Sequence, residues 1–199
     1  MSILTKSAIR QKIKDGSIVI SPYDESQLNP NSYDVRLGDT LAVYKNRIAL
    51  IEECMPVYIP RVLDTKEPEL FLTEAHVIPD EGFVLFPNVL YLATTLEYTE
   101  SHDTVPYLDG KSSTGRAGMK IHLTAGRGDI GFCGHWTMEI EVTHPIRVYA
   151  GMRVGQLTWH TVEGEIKTTY KETGQYNNRN SVPMGSWIWK QFREGDGND

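Results

Sequence analysis

The sequence has few cysteines, no long apolar run and no excess of positive charge, and each absence excludes a class of protein. Only two cysteines, Cys54 and Cys133, occur among 199 residues, which is too few for a disulfide framework and lacks the paired spacing of a structural zinc site. No stretch approaches the ~20 apolar residues of a membrane span, and residues 1–10 contain no apolar run of the length found in signal peptides. We therefore expect a cytoplasmic protein that does not contact a membrane.

The charge balance argues against a nucleic-acid-binding protein. Twenty Lys and Arg stand against twenty-six Asp and Glu, a formal net charge of -6, so a small anionic ligand would need a local basic pocket. With 40% hydrophobic and 23% charged residues, the composition is that of an ordinary globular protein. The length fits one domain or two small lobes, and we expect a single domain over residues 1–199.

Hydrophobic patterning predicts one helix followed by many short strands. Thr5 is a candidate N-cap for a helix through Ile13, which Gly16 terminates. Short apolar or alternating runs follow, separated by Gly, Pro, Asn and Asp turns, and we expect them to be strands. These runs are residues 17–20, 41–44, 69–73, 83–86, 90–94, 119–124, 136–143, 147–149 and 154–159. So many strands with so little helix predict an all-β sandwich, jelly roll or distorted barrel.

Two of these strands place polar side chains on the face opposite the core. In residues 136–143 apolar and polar residues alternate, so Glu139 is available to a ligand or a partner subunit. In residues 119–124 the same alternation predicts that Leu123 faces inward and His122 outward.

Residues 110–119, GKSSTGRAGM, form the densest polar cluster in the chain. Glycine backbone N–H groups, hydroxyls and the charges of Lys111 and Arg116 can together hold a phosphate. The alternative is a solvated hairpin whose charges are incidental. A P-loop is excluded because Val105 stands where its first glycine is required and no βαβ unit surrounds the segment.

Residues 122–134, HLTAGRGDIGFCG, form a second glycine-rich cluster. Asp129 could accept a hydrogen bond from a ribose hydroxyl, and the ring of Phe132 could stack on the sugar. The alternative is that Asp129 only caps a turn.

The histidines do not predict a metal site. They are His76, His102, His122, His135, His144 and His160. Their spacing along the chain is not that of metal ligands, so we expect no metal bound directly by the protein. Cys133 is expected to be a packing residue.

The ordered combination of motifs resembles the dCTP deaminases of the trimeric dUTPase superfamily. It comprises the N-terminal helix, NSYDVRLGD at 31–39, the loop at 110–119, the turn at 122–134, the strand with Glu139, and YAGMRVGQL at 149–157. The resemblance implies a distorted jelly roll, or β-clip, with a short N-terminal helix, and a homotrimer with active sites between subunits. It also implies that residues 171–199 form a C-terminal lid.

The resemblance implies a deamination centre made of Ser112, Arg116 and Glu139. Glu139 would take a proton from the attacking water and pass it to the departing amine. Related dUTPases lack a glutamate at this point of the strand. The H-x-E and P-C-x-x-C signature of a zinc deaminase is absent, which agrees with a family whose chemistry uses no zinc and in which Mg²⁺ binds through the triphosphate.

The resemblance also implies a set of substrate-binding residues. They are Lys111, Ser113, Asp129, Thr137, Gln156, Tyr170, Gln175 and Arg179. Within this set Asp129 would bind the sugar, Thr137 would lie beside the base and Gln156 would contact the phosphates. Gln175 and Arg179 depart from the lysine and glutamine usual in the family's lid, and Arg179 lacks the hydrogen-bond acceptor of a glutamine amide.

The function implied is the zinc-independent hydrolytic deamination of dCTP or a closely related cytosine deoxynucleotide. Gly126 and the loop GKSSTGR are closer to the form of the family that also cleaves the triphosphate, giving dUMP and diphosphate. Two alternatives stay open at this point: a dUTPase without deamination, and a nucleotide-sensing module without turnover. The presence of Ser112, Arg116, Asp129 and Glu139 together argues against both.

Overall fold

The computed structural model describes residues 2–45, 47–52, 55–60, 62–124, 126–176 and 181–193, and their secondary structure is mainly β. The strands are β1 (Ile18–Ser21), β2 (Tyr33–Tyr44), β3 (Arg47–Glu52), β4 (Met55–Pro60), β5 (Thr73–Val77), β6 (Phe83–Leu85), β7 (Tyr91–Ser101), β8 (Thr104–Gly110), β9 (Met119–Lys120), β10 (Cys133–Val142), β11 (Ile146–Val148) and β12 (Arg153–Thr161). The α-helices are α1 (Lys6–Asp15), α2 (Ser112–Arg116) and α3 (Tyr170–Thr173). The all-β prediction is confirmed.

One antiparallel sheet of eight strands organises the fold. Its main path runs β8, β12, β2, β7, β10, β9, with β1 paired to β7 and β5 paired to β2. The pairs β3–β4 and β6–β11 form two small separate sheets. Strands far apart in sequence, β2, β7 and β10, thus lie side by side, and motifs from distant parts of the chain meet on one sheet.

Helix α1 begins and ends where its capping residues predict. Thr5 is the N-cap, and its side-chain oxygen accepts a hydrogen bond from the backbone N–H of Ala8. Gly16 ends the helix with φ of 81°, a left-handed conformation that favours glycine. The helix extends to Asp15, slightly beyond the predicted end at Ile13.

The alternation predicted for β10 is confirmed by burial. Its apolar side chains are buried in the main core, and the polar side chains between them are partly exposed. The buried members are Trp136, Met138, Ile140 and Val142. Glu139 therefore lies on the face of the strand away from this core.

Two strand predictions are wrong. Most of the predicted strand 69–73 is part of a 3-10 helix, Pro68–Phe71, and the strand begins only at Thr73. A proline in the first helical turn favours a helical start. The predicted strand 119–124 ends at Lys120, where its pairing with the end of β10 stops. The side chain of Leu123 is 48% exposed and does not face inward.

Strand β8 was not predicted from the sequence, because Pro106 lies in its middle. Proline lacks the N–H that a ladder needs, so it argues against a central strand. The sheet order places β8 at an edge, paired with β12, and among the described residues its other side forms an isolated bridge, Tyr107 to Arg127, instead of pairing with a strand. A proline is tolerated in such a strand.

A buried ion pair lies at a bulge in β7. His135 pairs with Tyr98 and Thr137 pairs with Thr94, so an advance of two residues along β10 corresponds to four residues along β7. Within this bulge the side chain of Glu97 is fully buried. Its carboxylate accepts hydrogen bonds from Arg36 Nε at 2.7 Å and from the Arg36 backbone N–H at 2.8 Å.

A third donor completes the shell of this carboxylate. Gln27 Nε2 lies 3.1 Å from Glu97 Oε1 and 2.6 Å from the backbone oxygen of Asp34. The buried charge is thus paired and hydrogen-bonded on both oxygens, which is the condition for a charge to be tolerated in a core.

Among the residues that the structure describes, no helix has the length and apolar character needed to span a bilayer.

Replacing Arg36 by Met is expected to leave the Glu97 carboxylate buried without its cation. The free energy of unfolding should fall by about 3–5 kcal/mol, the usual cost of removing one partner from a buried pair. Urea denaturation measures this change. Arg10→Met is the matched control, because Arg10 pairs with Glu25 at the exposed surface and its loss should have little effect. Equal effects of the two substitutions would contradict the assigned role of Glu97.

Candidate functional site

A carboxylate and an imidazole meet on the exposed face of β10. Glu139 Oε2 lies 3.0 Å from His122 Nδ1, and the side chains of Glu139 and His122 are 34% and 13% exposed. His122 Nε2 is buried and has no hydrogen-bond partner among the described residues. With the Nδ1 proton donated to Glu139, Nε2 is left as an acceptor for a ligand or a water molecule. Glu139 and His122 together form the polar wall of a cavity.

This cavity has a volume of about 480 Å³, within the ~300–1,000 Å³ typical of sites for small molecules. One side is polar, with Glu139, His122 and Thr137, and the other is mainly aromatic and aliphatic. The remaining lining residues are Tyr44, Leu90, Leu92, Leu123, Thr124, Gly126, Arg127, Phe132, His135, Trp136, Tyr176, Met184, Gly185 and Ser186. A flat heterocycle with polar substituents on one edge matches such a surface.

Two aromatic rings form a rigid part of the cavity wall. The rings of Phe132 and Trp136 lie with centroids 4.4 Å apart. Trp136 Nε1 donates to Thr99 Oγ1 at 3.0 Å, and the Trp136 backbone N–H donates to Thr95 Oγ1 at 3.1 Å. Both threonines belong to β7 next to its bulge, so the bulge sets the position of the cavity's aromatic wall.

The turn between β9 and β10 packs against β8. The Leu108 backbone N–H donates to the Gly126 carbonyl at 2.7 Å. A Cβ atom at Gly126 would lie 1.8 Å from the Leu108 carbonyl oxygen, so only glycine fits this close approach. The glycine thereby holds the segment that follows His122 against the sheet.

Asp129 lies in a second cavity, of about 370 Å³, on the same turn. Arg127, Ile130 and Tyr170 also line this cavity. The Tyr170 backbone N–H donates to the Ile130 carbonyl at 2.7 Å, which ties α3 to the turn. A carboxylate, a guanidinium and a phenol thus surround a space large enough for a sugar or phosphate group.

The phenol of Tyr170 is held in its neutral form. Burial raises its pKa, and the nearby Asp129 carboxylate raises it further. Its oxygen accepts a hydrogen bond from the Tyr176 backbone N–H at 3.0 Å. Tyr170 therefore connects the turn containing Asp129 to the segment after α3.

The loop predicted to bind phosphate contains the short helix α2. Thr114 stabilises its first turn, with its hydroxyl donating to the Lys111 carbonyl at 2.8 Å and accepting from the Lys111 N–H at 3.2 Å. Ser112, Ser113 and Arg116 are exposed. None of these three lines the cavity beside Glu139, so the chain by itself does not bring the predicted deamination centre together.

Lys111 is bound to a buried carboxylate. Its Nζ lies 2.5 Å from Asp34 Oδ1, and Arg153 Nη1 lies 3.6 Å from Asp34 Oδ2. Asn29 Nδ2 adds a hydrogen bond of 2.8 Å to Asp34 Oδ1. Asp34 belongs to the motif NSYDVRLGD, so this motif anchors the start of the loop that contains α2. Sequence reasoning had not assigned Asp34 to the site.

Gln156 lies beside the same motif. It is on β12, opposite Asp34 in the register with β2, and it is half-buried. Its Oε1 lies 3.5 Å from the Ser32 hydroxyl. The position next to α2 is compatible with the predicted contact to phosphate.

Residues on the C-terminal side of α3 line part of the cavity beside Glu139. Thr94 Oγ1 donates to the Ser181 carbonyl at 2.6 Å, and the Ser186 N–H donates to Tyr44 Oη at 3.1 Å. The Tyr176 ring stacks on Trp187 at 5.4 Å. Residues 181–193, which we call the tail, thus cover part of the cavity.

The structure describes one of the two predicted lid residues. Gln175 is exposed beside Tyr176, and Arg179 lies outside the described residues. The tail contributes Met184, Gly185 and Ser186 to the cavity instead. These residues follow no periodic pattern in the sequence. The tail contacts the sheet through individual backbone hydrogen bonds and one packed aromatic ring, and such contacts leave no periodic signal.

Comparisons with known proteins point to one family. A family model described as dCTP deaminase-like matches residues 3–162. A protein of Cytophaga hutchinsonii named "dCTP deaminase, dUMP-forming" is 45% identical over 189 residues, covering 94% of this chain and 98% of that protein. A protein of the same name from Leptospira biflexa is 45% identical over 192 residues, covering 96% of this chain and 99% of its own.

A solved structure shares the fold. The crystal structure of 2'-deoxycytidine 5'-triphosphate deaminase from Agrobacterium tumefaciens superposes with a TM-score of 0.59 at 23% identity, covering 80% of this chain. The aligned part is 48% of that protein, so this chain spans about half of its length. The expected distorted jelly roll of the dUTPase-like type is thereby confirmed.

Trp189 is expected to hold the tail on the sheet. It packs on a small core cluster made of Ala42, Tyr44, Phe71 and Leu92. Trp189→Ala should raise the rate of proteolysis within the tail by about tenfold or more, since local opening becomes easier by at least ~1.4 kcal/mol. Limited proteolysis followed by mass spectrometry measures the rate.

Ile188→Ala is the matched control for this test, because the Ile188 side chain is 41% exposed. It should leave the cleavage rate nearly unchanged. Identical rates for the two variants would show that the tail is not anchored through Trp189.

Proposed function

Since the chain belongs to the dCTP deaminase-like family, we propose that it removes the amino group of dCTP and cleaves the resulting triphosphate to dUMP and diphosphate. The observation that most supports this proposal is the Glu139 carboxylate, bonded to His122 on the polar wall of a cavity of nucleobase size. The names of the relatives that are 45% identical support the dUMP-forming reaction.

We assign the proton transfers of deamination to Glu139. His122 is hydrogen-bonded to Oε2 of Glu139, and Oε1 has no hydrogen-bond partner among the described residues. Oε1 can therefore accept a proton from water. The hydroxide adds to C4 of cytosine and gives a tetrahedral intermediate. Glu139 returns the proton to the amino group, and the proton of the added hydroxyl moves to N3. The C4–N bond breaks, and ammonia leaves as the C4 carbonyl forms.

Ser112 and Arg116 are assigned to the same centre, supplied by a second subunit. Both are exposed, and neither lines the cavity beside Glu139 in its own chain. In the proposed homotrimer, α2 of one subunit faces the cavity of the next, and the Arg116 guanidinium and Ser112 hydroxyl bind the water and the base. This arrangement accounts for catalytic side chains that do not meet within one chain.

The remaining residues are assigned to substrate binding. Thr137 lines the cavity next to Glu139 and contacts the base, while Asp129 and Tyr170 hold the sugar in the neighbouring cavity. Ser113, Lys111, Gln156, Gln175 and Arg179 are assigned to the phosphates and the lid. Lys111 has a further role, because its ion pair with Asp34 fixes the loop.

Cleavage of the triphosphate is assigned to a water molecule held by Asp129. That water attacks the α-phosphorus, a P–O bond breaks, and diphosphate leaves, so that dUTP and water give dUMP and diphosphate. The side chains of Asp129, Arg127 and Tyr170 border one space, which supports a common site for the sugar and this water. Both reactions can then occur without release of dUTP.

Mg²⁺ fits this site as an ion carried by the substrate. Asp34, the carboxylate in contact with Lys111, is already bound by two cations and by Asn29 and does not offer a free ligand. We assign the ion to the phosphate oxygens of the substrate, whose charge it neutralises.

Glu139→Gln is expected to lower the rate of ammonia release from dCTP by about 10²–10⁴-fold or more, because the amide cannot move the proton. Coupled detection of ammonia measures the rate. Glu141→Gln is the matched control, since Glu141 is on the same face of β10 but outside the cavity, and its activity should stay close to that of the wild type. A Glu139→Gln variant that deaminates at the wild-type rate would exclude Glu139 as the acid–base group.

Mixing two inactive variants tests whether the site is shared. Arg116→Ala and Glu139→Gln chains, unfolded together and refolded in equal amounts, should recover about a quarter of the wild-type deaminase activity, because random assembly gives that share of intact interfaces. If each site used residues of one chain only, every site would have one defect and the mixture would stay inactive. Each variant refolded alone is the control.

A further inference from the structure

Three side chains with metal-binding atoms converge at one end of the sheet. Glu100 is in β7, His102 follows directly after this strand, and Cys133 begins β10. Cys133 is opposite Glu100 in the register of the two strands. The ligand atoms of the three side chains all lie within 4.8 Å of one another. The His102 Nε2 and Glu100 Oε2 atoms are 2.9 Å apart.

The backbone fixes this arrangement from several sides. The Gly131 N–H donates to the Ser101 carbonyl at 2.6 Å, and the Ser101 N–H donates to the Phe132 carbonyl at 3.0 Å. On its other edge, β7 pairs with β1 at the same level. The three Cα positions are therefore held by hydrogen bonds on both sides of Ser101, and only small side-chain movements are needed to bind one ion.

The cluster combines a buried thiol with two partly exposed ligands. Cys133 is 1% exposed, whereas the side chains of Glu100 and His102 are 23% and 37% exposed. An ion can therefore reach the cluster from the surface and rest against the thiol. Tyr98 Oη donates to Glu100 Oε1 at 2.6 Å, which orients the carboxylate in the way that outer groups orient metal ligands.

We propose that Glu100, His102 and Cys133 form a Zn²⁺ site. A thiolate, an imidazole and a carboxylate are the donor types that Zn²⁺ binds, and three protein ligands leave a fourth tetrahedral position for water. Binding breaks the S–H bond of Cys133 and releases that proton to solvent. The neutral imidazole of His102 keeps its proton on Nδ1 and binds through Nε2, and Glu100 binds as the carboxylate.

This site is independent of the proposed deamination. None of the three residues lines the cavity beside Glu139. The ion joins the end of β7 to the start of β10, next to the turn that contains Asp129, and its role is to stabilise that junction. The spacing of His102 and Cys133 along the chain did not suggest a metal site, because the pairing of β7 with β10 brings them together.

Cobalt is a suitable probe, because a thiolate bound to Co²⁺ gives a charge-transfer absorption in the near ultraviolet. The full chain, stripped of metal with a chelator, is titrated with Co²⁺ and then with Zn²⁺ as competitor. We expect the band to appear in the wild type and in Cys54→Ser, and to be absent in Cys133→Ser. Absence of the band in the wild type, or its persistence in Cys133→Ser, overturns the proposal.

Cys133 is buried, so Cys133→Ser could also affect folding. Substitution of the partly exposed His102 avoids this problem. His102→Gln should weaken Zn²⁺ binding, measured by competition with a chromophoric chelator, by about tenfold or more. His144→Gln is the matched control, because His144 is exposed and outside the cluster. Zn²⁺ should also raise the melting temperature of the wild type and of His144→Gln clearly more than that of His102→Gln. Equal Zn²⁺ affinity in the two variants overturns the proposal.

Discussion

The buried pair of Glu97 and Arg36 is the interaction on which the geometry of the site depends. Glu97 occupies a bulge of β7, and Arg36 binds it from β2 through both its backbone and its side chain. Because β10 pairs with β7 across this bulge, the bulge sets the register in which Thr137 and Glu139 follow His135. A buried charge contributes little net stability, but it strongly disfavours any register that leaves it unpaired.

A second buried carboxylate, Asp34, acts in the same way on the loop that contains α2. It lies two residues before Arg36. It binds Lys111, which follows the end of β8, and Arg153, which begins β12. The motif that contains both residues thus organises the scaffold under the two halves of the site. The side chains of the candidate site therefore lie on elements that buried ion pairs hold in place, which is what a preorganised site requires.

The sequence predicted the fold class and the face of β10 because period-two alternation and capping residues are local signals. Thr5, Gly16 and the buried Trp136 lie where these signals indicated. It did not predict β8, since Pro106 is tolerated only because that strand is at an edge, or the early end of β9 before Leu123.

Only part of the candidate site could be predicted, because many of its contacts join residues far apart in the sequence. Glu139 and Thr137 do line one cavity, but the contact of Glu139 with His122 and the ion pair of Lys111 with Asp34 depend on long-range pairing that spacing along the chain does not encode. The roles proposed for Ser112 and Arg116 require a neighbouring subunit, which the sequence of one chain does not place. The tail's contribution through Met184 and Ser186 follows from backbone hydrogen bonds without a sequence pattern.

The most direct measurement is the product formed from dCTP and Mg²⁺, separated by chromatography at successive times. If the cavities beside Glu139 and Asp129 act in sequence on one bound nucleotide, dUMP, diphosphate and ammonia appear together and free dUTP does not accumulate. Unchanged dCTP, with dUTP cleaved or every nucleotide left intact, would contradict the assignment of Glu139 and identify the chain as a dUTPase or a nucleotide-binding module without turnover.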